Sequence, residues 1–203
     1  MLRGTHVLLY NSQPSGNCYK VRLLLTQLGV PFQTVEVDTS TKEGRGPLLG
    51  GKNPALRVPV LELDDGRHLA ESGAILWYLA EGTDFVPADP FDRARVLQWM
   101  FFEQYDHEPY VAVVRHRTML GHVDDYPDSE QRRERGYAAL AAMDEQLDGL
   151  DYFVGDRYSI ADIALFAYTH VADEGGFDLS GYPAVNAWLG RVAAQPEHIT
   201  IDD

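Results

Sequence analysis

The hydrophobic pattern of this chain changes character once, and that change constrains the fold more than any other feature. Up to about Gly82, short apolar runs of strand character alternate with helical stretches; beyond the segment TDFVPADP (83–90), every periodic segment is helical. HVLLY (6–10) reads as a buried strand, followed by the turn formers NSQPSG. From Cys18 the period is helical, with Val21, Leu24, Leu25 and Leu28 at i, i+3, i+4 and i+7, and Gly29 and Pro31 end it. FQTVEV (32–37) is a second strand, and 39–53 reads as an irregular or weakly helical connection. Strands at 58–63 and 67–70 flank the Asp64-Asp65-Gly66 turn as a hairpin, and a helix from about Ser72 carries Ile75, Leu76 and Leu79 and stops at Gly82.

The order βαβ, connection, ββα is the thioredoxin arrangement. The expectation is therefore an α/β thioredoxin-like domain over 1–82, a linker over 83–90 and an all-helical domain over 91–203. In the second part a helix over about 92–120 holds Val96, Leu97, Met100 and Phe101 on one face, and Pro109 should kink it. Trp99 and Phe101 are assigned to its core side. Another helix starts near Asp128 or Ser129 and carries Tyr137, Leu140 and Leu147. A third opens at Ser159-Ile160-Ala161-Asp162, where Ser can cap and Asp can answer it. The last has Pro183 near its first turn and Val185, Trp188, Leu189 and Val192 on one face.

Charge and cysteine content narrow the function. Lys and Arg number 17 against 31 Asp and Glu, a formal net charge of -14, which repels phosphate backbones and anionic lipid. An anionic ligand would need basic side chains or backbone N–H groups gathered at its site. The single cysteine, Cys18, allows no disulfide framework and no thiolate metal cluster, and His107, His116 and His122 do not form metal-ligand spacing. Met1 to Tyr10 lacks the features of a secretory signal and the apolar runs are too short to span a bilayer, so a cytoplasmic setting is expected.

The turn Ser15-Gly16-Asn17-Cys18 stands between strand and helix, where unpaired N–H groups and the helix dipole favour an anion. Redox members of the thioredoxin fold place a cysteine at the first position of this turn. Serine there cannot form a mixed disulfide, but its hydroxyl can donate to a thiolate supplied by a ligand. Ser15 as a plain helix cap is the competing reading. Cys18, without a partner cysteine, reads as a buried, inert thiol.

PSGNCYKVRLLL, NPALRVPVLELDDG, LAESGAILWYL and GDRYSIADIALF, in this order, resemble the cytosolic glutathione transferase superfamily over nearly the whole chain. Ser15 and Asn17 are similar to the serine-using and bacterial Nu-class turns. The resemblance implies Ser15 as the catalytic hydroxyl, with Tyr10 the alternative because other classes use a tyrosine at the end of the first strand. It further implies glutathione contacts at Asn17, Arg57, Val58, Glu71 and Ser72, a cis bond at Val58-Pro59 and a homodimer. Glu71 would pair with the ligand ammonium, and Ser72 would cap its helix and hold the γ-glutamyl carboxylate. Pro59 could equally be a trans edge-strand proline, and Arg57 a solvated surface residue. Tyr105, Tyr110 and Arg115, with His107, are weaker candidates for a second-substrate pocket. Glutathione is then a co-substrate, no further cofactor is expected, and the second substrate is a small electrophile or a disulfide. A non-catalytic interaction scaffold is the alternative.

Overall fold

The computed structural model describes residues 7–203, with Lys42 described by its backbone alone; His6 of the first expected strand lies outside these residues. Two compact units emerge. One runs to Asp84 and includes Pro196–Asp203; the other is Phe85–Gln195. The boundary therefore differs from the expected one at both ends. Residues 85–90 join the helical unit, where Ile160 N–H donates to Phe85 C=O (3.1 Å). Residues 196–203 join the first unit, where Tyr19 and Arg22 donate to the carbonyls of Ile199 and Ile201.

The first unit contains β1 (Val7–Asn11), α1 (Gly16–Gln27), β2 (Phe32–Glu36), α2 (Lys42–Leu49), β3 (Val60–Glu62), β4 (His68–Ala70) and α3 (Ser72–Ala80). The sheet order is β2-β1-β3-β4. β1 and β2 are parallel, which demands a crossover, and α1 supplies it. β1 meets β3 antiparallel with Tyr10 opposite Val60, and β3 meets β4 antiparallel. The hairpin strands are three residues each, shorter than expected, and β3 starts only after Pro59, which has no N–H for the ladder. Buried Val21, Leu24 and Leu25 of α1 and Ile75, Leu76 and Leu79 of α3 complete the core.

α2 is more regular than the sequence suggested. Thr41 caps it, its hydroxyl accepting from Gly44 N–H at 2.9 Å, and Leu49 is buried at its end. Gly44, Gly46 and Pro47 hide this helix from any propensity argument.

The second unit is helical: α4 (Pro90–Phe102), a π-helical turn (Glu103–His107), α5 (Glu108–Met119), α6 (Ser129–Leu147), α7 (Ile160–Thr169) and α8 (Pro183–Ala193). The expected break at Pro109 takes the form of that π turn. Pro109 cannot donate to the carbonyl four residues back and its ring crowds it, and the wider turn just before absorbs both problems. Phe101 is a correction: it is 67% exposed, while Phe102 takes the inward place, edge-on to Trp99 at 5.0 Å. α4 buries Val96, Trp99 and Met100, so a side chain one position after Met100 is rotated out of that face. α7 is buried at all ten positions, and its capping box is complete. Among the described residues no helix is long and apolar enough to cross a membrane.

Candidate functional site

Ser15 is the N-cap of α1, in extended conformation (φ -78°, ψ 116°), and its Oγ accepts from Cys18 N–H at 3.3 Å. A hydroxyl accepts and donates at once, so capping leaves its proton available. The first turn of α1 holds no acidic residue, so nothing in it neutralises the positive end of the helix. Two residues on, Asn17 Oδ1 accepts from Ser72 Oγ (3.0 Å) and from Lys20 Nζ (2.7 Å). The Ser72 bond brings the starts of α1 and α3 together, while the Lys20 bond lies within α1. Lys20 is 1% exposed and was not singled out from sequence; its only signal is its position three residues after Asn17 on a helix face.

Ser72 is corrected in one respect. It is the first helical residue, not the cap; Glu71 holds the cap position at φ 71°, ψ 115°, with no side-chain cap hydrogen bond. A non-glycine residue held there costs about 1 to 3 kcal/mol, strain that concentrates at functional sites. Glu71 is exposed, Ser72 buried, and the first turn of α3 is free of acids.

The Val58-Pro59 bond is cis. Among the described residues the Val58 N–H and C=O have no backbone partner, so an extended ligand backbone can pair there. Buried Asn53 holds the loop before it, with Nδ2 donating to Arg57 C=O (2.9 Å) and Oδ1 accepting from Ala55 N–H (3.0 Å). The Arg57 side chain is exposed.

Tyr10 is committed elsewhere. Its hydroxyl donates to Glu62 Oε2 at 2.7 Å, Lys52 Nζ lies 5.2 Å from its ring centre, and burial, followed by the Glu62 carboxylate, pushes its pKa up to about 12. Cys18 is fully buried, its Sγ accepts from Ser12 N–H at 3.3 Å, and burial pushes the thiol up to about 11.

The three second-substrate candidates have different environments within the helical unit. Tyr105 is 77% exposed on the π turn. The Tyr110 hydroxyl accepts from Arg135 Nη1 (2.9 Å), and Tyr110 lines a cavity of about 340 Å³ with Phe102, Asp106 and Arg135. Arg115 is 5% exposed and its Nε donates to Glu174 Oε2 at 2.7 Å, an ion pair that holds α5 to the 172–175 turn. His107 is likewise buried, 3.0 Å from Thr169 Oγ1.

The model of the glutathione S-transferase N-terminal domain matches residues 14–81, and that of the glutathione S-transferase C-terminal domain matches residues 99–196. A maleylacetoacetate isomerase of Rhizobium meliloti is 33% identical over 193 residues, covering 91% of this chain and 90% of that one. The disulfide-bond oxidoreductase YfcG of Escherichia coli is 28% identical over 90% of this chain and 88% of its own. A crystal structure described as a possible glutathione S-transferase from Rhodopseudomonas palustris superposes with a TM-score of 0.93 at 51% identity, over 97% of this chain and 98% of that one. The chain belongs to the glutathione S-transferase family.

Proposed function

We propose that this protein binds glutathione, holds its sulfur as a thiolate and directs it at a small electrophile or a disulfide. The observation that carries this reading is the convergence on Asn17, where Ser72 Oγ joins the acid-free starts of α1 and α3 and the buried Lys20 Nζ of α1 donates to the same oxygen. Two helix N-termini gathered in a chain of net charge -14 fit a ligand with two negative groups. In this reading the thiolate accepts from Ser15, the γ-glutamyl carboxylate lies at Ser72 and the ammonium meets Glu71. The cysteinyl backbone pairs with Val58, the glycine carboxylate meets Arg57, and Asn17 stands beside the sulfur.

Ser15 is favoured over Tyr10 because the Tyr10 proton is engaged by Glu62. A donor and a helix dipole both stabilise a thiolate and so lower its pKa. Attack on an electrophilic carbon forms a C–S bond, and the displaced group leaves with the bonding pair. Attack on a disulfide forms a mixed disulfide and releases one thiolate; a second glutathione then releases the other and leaves oxidised glutathione. The relatives named as an isomerase and as a disulfide-bond oxidoreductase both fall within the reach of an activated ligand thiol. The reading also takes the protein as cytoplasmic, homodimeric and active in detoxification. Light scattering tests the dimer, which should give twice the 22.7 kDa of the chain.

The deciding experiment is calorimetric titration with glutathione and oxidised glutathione, beside thiolate absorbance against pH. Saturable binding with a thiol that titrates below its free value is expected. No binding of either form would favour the scaffold alternative.

A further inference from the structure

The turn that delivers Ser15 is tied down from a distant part of the sequence. Gln13, two residues before Ser15, is bonded at three places. Its N–H donates to Glu36 Oε2 (3.1 Å), its C=O accepts from Arg22 Nη2 (3.3 Å), and its Nε2 donates to Ile201 C=O (3.0 Å). Arg22 closes the ring. Its Nη2 also donates to Ile201 C=O (2.7 Å), its Nη1 donates to Asn11 Oδ1 (2.8 Å), and Asn11 Nδ2 donates to Glu36 Oε1. Tyr19 adds a second grip on the same segment, its hydroxyl donating to Ile199 C=O at 2.8 Å. Asn11, Arg22 and Ile201 are all buried.

A buried guanidinium is expensive unless its donors find acceptors, and here its two terminal nitrogens find one carbonyl from 196–203, one from the Ser15 turn and one side chain of β1, while the buried Nε has no acceptor among the described residues. The ring therefore couples where residue 201 sits to where residues 11–15 sit. A serine that only capped a helix would need none of this: the corresponding start of α7 is held by its own Asp162.

We propose that residues 196–203 are a strap that, through Arg22 and Gln13, sets the position of the Ser15 hydroxyl, making Arg22 and Gln13 positioning residues for the thiolate. The inference rests on the reading of Ser15 given above. Its consequence is specific. The ring touches the turn that meets the sulfur, whereas Glu71, Ser72 and Val58, which hold the rest of glutathione in that reading, lie outside it. Loosening the strap should therefore lower kcat and raise the pKa of the bound thiol, with little change in KM for glutathione.

The test uses four variants of the full chain: Gln13→Leu, Arg22→Met, Arg22→Lys and a deletion of 196–203. Gln13→Leu should lower kcat about 5- to 10-fold, within the loss a misplaced catalytic group produces, while KM for glutathione stays within about twofold. The deletion and Arg22→Met should go further in the same direction, and Arg22→Lys should recover part of the Arg22→Met loss. Unchanged kcat and thiol pKa in folded Gln13→Leu and Arg22→Met overturn the strap. So does a loss that appears in KM alone. If the deletion fails to fold, Gln13→Leu decides. A wild type that leaves the glutathione thiol at its free pKa sinks the functional reading instead. The strap is then judged by amide hydrogen exchange at residues 11–18: faster exchange in Gln13→Leu supports it, and unchanged protection overturns it.

Discussion

Among the described residues, two helices are capped by a serine side chain, and the two caps serve opposite ends. At α7, Ser159 Oγ accepts from Ala161 N–H, and Asp162 answers by accepting from Ser159 N–H (2.9 Å) and Ser159 Oγ (3.0 Å). The same carboxylate accepts from Phe153 N–H (3.1 Å) and Trp188 Nε1 (3.0 Å), so this helix end is neutralised from within and sealed in the core. At α1, Ser15 accepts from Cys18 N–H and no acid follows in the first turn. A capped helix that supplies its own anion is structural; one that lacks it is a place for someone else's.

The largest effect is expected at Asp162. Asp162→Ala removes the acceptor for Phe153 N–H, Ser159 N–H and Trp188 Nε1, and each buried donor left unpaired costs about 1 to 3 kcal/mol. A loss of roughly 3 to 9 kcal/mol in urea denaturation follows, enough to unfold a marginal domain. A loss below about 1 kcal/mol would mean that the box does not hold the helical unit together. Burial pushes the Asp162 carboxyl up to about 6 despite these donors. A raised folded-state value means that protonation favours the folded chain. This contribution is full below the ordinary value of 3.8 and is lost as pH rises through about 6. Asp162→Asn should flatten the pH dependence of stability across that window, and an unchanged profile would assign it to another group.

At α1 the corresponding change should barely touch stability and strongly touch chemistry. Ser15→Ala removes a cap worth about 1 kcal/mol. It also removes the donor to the thiolate, and turnover should fall about 10- to 1000-fold, as for one preorganised donor, with glutathione affinity nearly intact. The pKa of the bound thiol should rise. If stability falls by several kcal/mol while turnover per folded molecule is retained, Ser15 is a second Ser159 and the contrast collapses.

Both serine starts were legible in the sequence, because a capping residue followed by an apolar period of 3.6 is a local signal. The difference between them was legible too, as the presence or absence of Asp at the third position. What surrounds the α1 start was not. Arg22 and Ile201 are 179 residues apart, and Lys20 and Arg22 are charged residues whose burial is decided by partners that no local pattern names. The ion pair of Arg115 is hidden for the same reason, since its partner Glu174 is 59 residues away. Ser72 was read as a cap because serine favours that place; the chain puts Glu71 there at positive φ, a conformation its residue type does not announce. α2 was hidden by its glycines and Pro47, and Phe101 by standing next to the apolar face it does not join.

α3 offers an intermediate case, a helix start with neither a side-chain cap nor an acid in its first turn. Ser72→Ala removes the hydroxyl that donates to Asn17 Oδ1 and, in the proposed reading, a contact to the γ-glutamyl carboxylate. Glutathione affinity should weaken by about 1 to 2 kcal/mol, the scale of a charge-assisted hydrogen bond. Calorimetry reads this directly, and unchanged affinity would remove Ser72 from the ligand site.

The smallest effect is expected at Cys18, and its smallness is the point. Cys18 belongs to the same first turn as Ser15, so a redox mechanism using the enzyme's own sulfur would have to use it. Its N–H serves the Ser15 cap, and a substitution of the side chain leaves that bond in place. Its sulfur is fully buried and, with its pKa pushed up to about 11, stays protonated at neutral pH, where only a thiolate would be nucleophilic. Serine is smaller and can still accept from Ser12 N–H, so Cys18→Ser should cost about 1 kcal/mol in stability and leave turnover within about twofold. Turnover with an aromatic halide and with a small disulfide, measured in wild type, Ser15→Ala and Cys18→Ser, separates the two residues at the start of α1. If Cys18→Ser abolishes activity while Ser15→Ala keeps it, the reacting sulfur belongs to the protein, and the open start of α1 serves its own cysteine rather than a ligand.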